Sequence, residues 1–282
     1  MKGRLCIITG ANTGIGYHTA KQLAQKGATV VLVCRDQEKA ETAQKEIKEA
    51  TGSHSVYRMH CDLNNMQSID SFTKEFHSRF TCLHVLINNA GAIHNTRQET
   101  PEGYEKTIST NYLAPFKLTH NLLPLLKEKP PSRIINHGSA LHRTGELNFE
   151  DLMMKKGYKG PQAYANSKLM LTIFTYALAE RIQGLGVTAN IVQPRSSATQ
   201  LGRNTQGILN RLGYLLARPA QVTPKRGAET TVWAATEPSL ANITGRAFHR
   251  KKEMETAPET YDKELQDKLW DKTVEILGIS TI

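Results

Sequence analysis

An open, doubly wound parallel β-sheet with helices on both faces is the fold predicted for this chain. Three observations predict it: short β-rich runs alternate with longer helical patterns, those runs are almost continuously apolar, and a glycine-rich turn joins the first run to the first helical pattern. Strands that lack polar alternation are those buried on both faces, as helical crossovers require.

The β-rich runs are LCIITG (5–10), ATVVLVC (28–34), SVYRMHC (55–61), LHVLIN (83–88), RIINHGS (133–139) and VTANIVQ (187–193), with a weaker GRAFH at 245–249. Helical stretches of crossover length lie between the early runs, such as EKAETAQKEIKEATG, which ends on the stop-signal glycine Gly52. The run PQAYANSKLMLTIFTYALAERIQ (161–183) has apolar residues at helical spacing. No internal repeat, low-complexity tract or linker marks a second unit, so residues 1–282 are expected to form one domain with a C-terminal helical tail. Two stretches exceed a normal connection: residues 140–162, and an excursion at about 195–222 containing GILNRLGYLLARPA. The second reads either as a short helix packed on the core or as a substrate lid, since periodicity does not separate them.

Composition excludes several function classes. Thirty-six Lys plus Arg against 26 Asp plus Glu give a net charge of +10, but the basic residues are interspersed with acidic ones and the densest run is only Arg250-Lys251-Lys252. Nucleic-acid binding is therefore not expected, because no motif accompanies the charge. Cys6, Cys34, Cys61 and Cys82 form no Cys-x-x-Cys pair, and the ten histidines show no ligand spacing, so no metal is expected and a reduced, cytoplasmic setting is. The apolar run near the start is too short for a signal-peptide core, and no segment has the length of a membrane span. Peripheral contact of the basic 203–226 region with anionic lipid stays open, as does a homo-oligomer.

The turn after the first run is TGANTGIG, with Gly10, Gly14 and Gly16 leading into a helical pattern. Such a turn lets backbone N–H groups and a helix N-terminus approach a pyrophosphate; a plain tight turn is the alternative. The second run is followed by Arg35-Asp36, about 20 residues past the last glycine, where an acid takes the ribose hydroxyls of NAD and an arginine takes the 2′-phosphate of NADP. The planar fork of Arg35 favours NADP(H) over NAD(H), while Asp36 leaves NAD open. Tyr164 and Lys168 stand four apart on a helix, hence on one face. A phenol titrates near ~10, so an ammonium one turn away that favours its anion would make it useful in proton transfer.

With TGANTGIG, CDL (61–63), NNAG (88–91), Asn111, Ser139 and YANSK (164–168) in order, the chain resembles the short-chain dehydrogenase/reductase family, whose members have a single Rossmann-type domain. CRD (34–36), FTYALAERIQGLGVTAN (174–190) and YDKELQDKLWDKTVEILGI (261–279) look like its retinol dehydrogenase-like branch. The resemblance implies that Tyr164 donates a proton to a carbonyl or accepts one from an alcohol, that Lys168 holds nicotinamide-ribose hydroxyls and lowers the tyrosine's pKa, that Ser139 hydrogen-bonds the substrate oxygen, and that Asn111 anchors a water in the proton relay. It further implies that Gly10, Asn12, Thr13, Gly14, Ile15, Gly16 and Arg35 line the cofactor site, with Asp62 and Leu63 at the adenine. Asn89, Ala90 and Gly91 would flank the adenine ribose, and Pro194 and Thr199 would lie near the nicotinamide.

Two departures stand out. Pro194 is followed by Arg195 where the family commonly has glycine, and Asn136-His137-Gly138 precedes Ser139 where paired serines are usual. His137 reads as a structural histidine, with tuning of the site as the alternative. The expected function is NADP(H)-dependent hydride transfer between nicotinamide and a carbonyl or alcohol of a small apolar substrate, either an aldehyde/ketone or a retinol-like alcohol. The rival is a catalytically weak regulatory protein that binds the cofactor, a reading that rests on Arg195.

Overall fold

A computed structural model describes residues 1–194 and 222–281. In it the apolar runs become strands β1 (Leu5–Thr9), β2 (Thr29–Cys34), β3 (Val56–His60), β4 (Val85–Asn88), β5 (Ser132–His137), β6 (Val187–Val192), β7 (Ala247–His249) and β8 (Lys252–Met254). They form one sheet in the order β3-β2-β1-β4-β5-β6-β7-β8. All neighbours are parallel except β7 and β8. The order reverses between β1 and β4, which opens a crevice beyond the carboxyl ends of these two strands, where open α/β sheets bind ligands.

Helices α1 (Gly14–Gln25), α2 (Gln37–Thr51), α3 (Met66–Arg79), α4 (Lys106–Ile108), α5 (Ala114–Lys127), α6 (Gly160–Arg181), α7 (Pro224–Gly227), α8 (Glu229–Thr236) and α9 (Lys263–Leu277) cover the sheet. Alternate side chains of β1 divide between two cores. Leu5 and Ile7 join the aromatic cluster of Phe116, Phe174 and Trp270 under α5, α6 and α9, while Cys6 and Ile8 join Leu23, Ile47 and Val232 under α1, α2 and α8. This two-sided burial is why β1 and β2 read as near-continuous apolar runs, whereas the edge strand β3, Val56–His60, mixes buried with exposed residues.

The helix ends explain where the chain turns. Asp36 caps α2 by accepting from Lys39 N–H, and Gly52 ends it in the left-handed region at φ 67°. Asn65 and Asp262 cap α3 and α9 in the same way. Thr13, by contrast, makes no side-chain bond to the first turn of α1. Between α4 and α5 the chain passes through one π turn, Ser109–Leu113, which carries Asn111. Such turns place an extra residue in a helix and recur at functional sites.

Strand β8 was not among the expected elements. Its polar sequence and the glycine-free turn before it hide it: Arg250 and Lys251 both adopt left-handed backbone, at φ 52° and 60°. Most of the 195–222 excursion lies outside the described residues, and so does the basic 203–226 stretch as far as residue 221; Lys225 and Arg226 lie on α7.

Candidate active site

The crevice at the strand reversal is a cavity of about 1060 Å³. Every residue expected to hold the cofactor lines it except Thr199, which lies outside the described residues, as does Arg195. Ser139, Tyr164 and Lys168 also line it, whereas Asn111 stands behind its wall.

One end is built from the carboxyl termini of β1, β2 and β4. Gly14 takes a left-handed φ of 60° to enter α1. A Cβ on Gly16 would stand 2.4 Å from Asn89 Nδ2 and 2.5 Å from the Gly10 carbonyl oxygen, so only glycine allows this approach. The Asn89 side chain donates to the Thr9 carbonyl at 2.7 Å, and the Thr9 hydroxyl accepts from the N–H groups of Asn89 and Ala90, both at 3.0 Å. The loop after β4 is thus pinned to the end of β1. Because Thr13 leaves them uncapped, the first N–H groups of α1 face this end with the helix's positive pole behind them. The cradle suits a pyrophosphate.

Asp36, weighed above as a ribose ligand, and Lys39, which was not expected at the site, line the same end beside Arg35. Asp36 caps α2 and is also gripped by the Lys39 ammonium at 2.5 Å, and these bonds hold its carboxyl below the ordinary carboxylate range. An aspartate directly before the helical pattern is a helix-start signal, and it could have assigned Asp36 to the cap.

The other end gathers the proton-transfer groups. Tyr164 and Lys168 share a face of α6, with Nζ 5.7 Å from the phenol ring centroid. Lys168 is buried and donates to the His137 carbonyl at 2.8 Å; burial brings its pKa down to about 8. Burial pushes the Tyr164 phenol up, opposed by hydrogen bonding from Ser139. Ser139 caps a 3₁₀ turn, Ala140–Thr144, its Oγ accepting from Leu141 N–H at 3.3 Å, which leaves the hydroxyl proton free to donate.

Asn111 spends its side chain within the wall. Its Oδ1 accepts from Ala92 N–H at 2.8 Å, and its Nδ2 donates to the Ala92 carbonyl and to Ser167 Oγ, both at 2.9 Å. His137 points away from the cavity's chemistry, with Nε2 2.8 Å from the Thr231 hydroxyl; burial, followed by the Lys168 charge, depresses its pKa to about 3. It is a neutral packing residue. The apolar lining of the cavity includes Ala140 and Leu141, which follow Ser139 in the chain, with Pro194 and Val222.

The short chain dehydrogenase family profile matches residues 4–207. The chain belongs to the short-chain dehydrogenase family. It is 37% identical to human retinol dehydrogenase 13 over 287 residues, covering 98% of this chain and 85% of that protein. It is 38% identical to human retinol dehydrogenase 11 (99% and 87% covered) and 38% identical to human polyprenol dehydrogenase (98% and 86%). Among solved structures, an uncharacterized protein from Mycobacterium paratuberculosis superposes with a TM-score of 0.80 at 28% identity, covering 99% of this chain and 95% of that one. A dehydrogenase/reductase from Sinorhizobium meliloti 1021 gives 0.69 at 26% identity, covering 88% and 93%. The family is one of oxidoreductases, and this chain is similar to its retinol dehydrogenase-like branch along almost its whole length. Among the described residues, no helix is long and apolar enough to cross a membrane.

Proposed function

We propose that the chain acts as one unit, an NADP(H)-dependent oxidoreductase of apolar aldehydes, ketones or the corresponding alcohols. One observation carries this reading: Tyr164, Ser139 and Lys168 form one wall of the cavity whose far end holds the glycine turn and Arg35.

When bound, the nicotinamide would give or take the hydride. The uncapped N-terminus of α1 would hold the pyrophosphate, and Lys168 would donate to ribose hydroxyls. Burial keeps the Tyr164 phenol protonated at neutral pH, the state that gives a proton to a carbonyl oxygen. Ser139, whose hydroxyl stands beside the phenol, would turn its proton to the same oxygen as negative charge develops there. In the alcohol-oxidising direction, the Lys168 ammonium would favour the phenolate. Asn111 would fix the loop that carries Asn89, Ala90 and Gly91 through its bonds to Ala92, and would anchor the relay water that the resemblance implies.

NADP(H) is favoured because Asp36, the residue that could claim the ribose for NAD, is committed to the α2 cap and Lys39. Arg35 forms no ion pair among the described residues, and Lys39 adds a second cation nearby. Similarity to enzymes named for retinol and polyprenol, together with the apolar lining around Leu141, supports a hydrophobic substrate.

The test is NADPH and NADH consumption over a panel of apolar aldehydes and ketones, with native chain, Tyr164→Phe and Arg35→Ala compared. Turnover should prefer NADPH and collapse in Tyr164→Phe. Arg35→Ala should lower kcat/KM for NADPH by about 10- to 100-fold, the range of a charge-assisted hydrogen bond, and leave NADH unchanged. Equal loss with both cofactors would reject the assignment of Arg35, and full activity in Tyr164→Phe would reject the mechanism.

A further inference from the structure

His142 lies on the 3₁₀ turn that starts at Ser139 and is 2% exposed, yet the mechanism makes no use of it. Both ring nitrogens are engaged. Nδ1 lies 2.6 Å from the Ser139 carbonyl oxygen, and Nε2 accepts from the Ala257 N–H at 3.0 Å. A carbonyl can only accept and a backbone N–H can only donate. The ring must therefore be neutral, with its proton on Nδ1. The tautomer follows from the partners, and burial, which pushes its pKa down, acts in the same direction.

What the imidazole joins is informative. Ser139 sits just past the end of β5, half-buried, its side chain held by a long hydrogen bond from Leu141 and by its interaction with the Tyr164 phenol. Ala257 belongs to the segment before α9, and its neighbour Thr256 is bound to α6 through the Tyr176 hydroxyl at 2.9 Å. That segment is closed on itself by Thr256 N–H donating to the Tyr261 hydroxyl and by the Thr256–Thr260 hydroxyl pair. Helix α6 also carries Tyr164. The connections run from Ser139 through His142, the 256–257 segment and Tyr176 back to the helix of Tyr164.

We infer that His142 is a positioning residue, a neutral imidazole strut that sets the Ser139 hydroxyl against Tyr164 by tying the Ser139 carbonyl to the Ala257 N–H. The inference rests on the proposed roles of Ser139 and Tyr164. Because misplacement of a reacting group by about 1 Å costs on the order of 10²-fold in rate, removing the strut should be read in kcat.

The experiment is a double-mutant cycle with kcat and KM measured for NADPH and one apolar aldehyde. His142→Ala should lower kcat about 10- to 100-fold with little change in KM for NADPH, and should add less than about 3-fold in the Ser139→Ala background. The same loss in both backgrounds, or a lower Tm with native kcat, overturns the strut. His142→Asn keeps a donor for the Ser139 carbonyl, whereas His142→Gln reaches toward Ala257 alone, so Asn should retain more kcat than Gln. The reverse order also overturns it, and this pair serves should the alanine variant fail to fold. If Ser139→Ala loses turnover and His142→Ala does not, the strut is wrong and the functional reading stands; a native protein without turnover refutes both.

Discussion

Replacing Asn111 by alanine tests the link between the π turn and the cofactor loop. The substitution strips partners from both the N–H and the C=O of Ala92 and removes a donor from Ser167 Oγ. Leaving a buried polar group unpaired costs about 1–3 kcal/mol. Ala92 is half-buried, so water recovers part of that, and two stranded groups give a loss of about 2–4 kcal/mol. With an unfolding entropy of ~2.1 cal/mol/K per residue, a chain of 282 residues has about 0.6 kcal/mol/K, so Tm should fall by about 3–7 °C. Thermal unfolding followed by circular dichroism reads the shift, and fluorescence titration reads the accompanying loss of NADPH affinity. Asn111→Asp sharpens the test. Its carboxylate still accepts from Ala92 N–H, but the second oxygen then faces the Ala92 carbonyl, so the isosteric change should not rescue. A native Tm in the alanine variant, or full recovery in the aspartate variant, would show that the clip is dispensable.

Two further outcomes follow from the same geometry. His137 is held at about 3 when folded against an ordinary 6.5, so the unfolded chain binds the extra proton between these values and stability falls as pH drops from 6.5 toward 3. The slope from this residue is at most about 1.4 kcal/mol per pH unit, and urea unfolding between pH 7 and 4 should show a shallower acid limb in His137→Gln than in the native protein. Gly16→Ala drives a methyl group into Asn89 and the Gly10 carbonyl, so cofactor binding by calorimetry should be lost or fall at least about 100-fold; near-native binding would mean the turn is looser than these contacts require.

How much of this was legible beforehand depends on the physics that sets each feature. The parallel strands were readable because burial on both faces leaves β1, β2 and β4 almost wholly apolar, and Gly52 announced the end of α2. The glycine turn, Tyr164 with Lys168, and Ser139 were readable because close backbone approach and proton transfer demand particular residue types. Other features leave no such trace. The π turn depends on hydrogen-bond register, which side-chain periodicity does not record. Strand β8 is Lys252-Glu253-Met254 behind an Arg-Lys turn, which opposes every strand signal. His142 finds its partner 115 residues away in a backbone N–H, and a backbone group has no letter in the sequence. The competition between Arg35 and Asp36 was weighed as one between two ligands, although a helix cap had the prior claim on the carboxylate.

The short polar strand β8 also bears on how the molecule survives at high concentration. It pairs antiparallel along β7, which contributes the buried Ala247 and Phe248, and it presents Lys252 and Glu253 outward at the margin of the sheet. A sheet margin is a row of unpaired peptide groups that invites another chain to add a strand, and three residues bearing opposite charges offer too little length and too much hydration for that. Replacing Lys252 and Glu253 together by valine would make that margin apolar while leaving α9 in place, and self-association through it, rather than loss of stability, is the failure to look for.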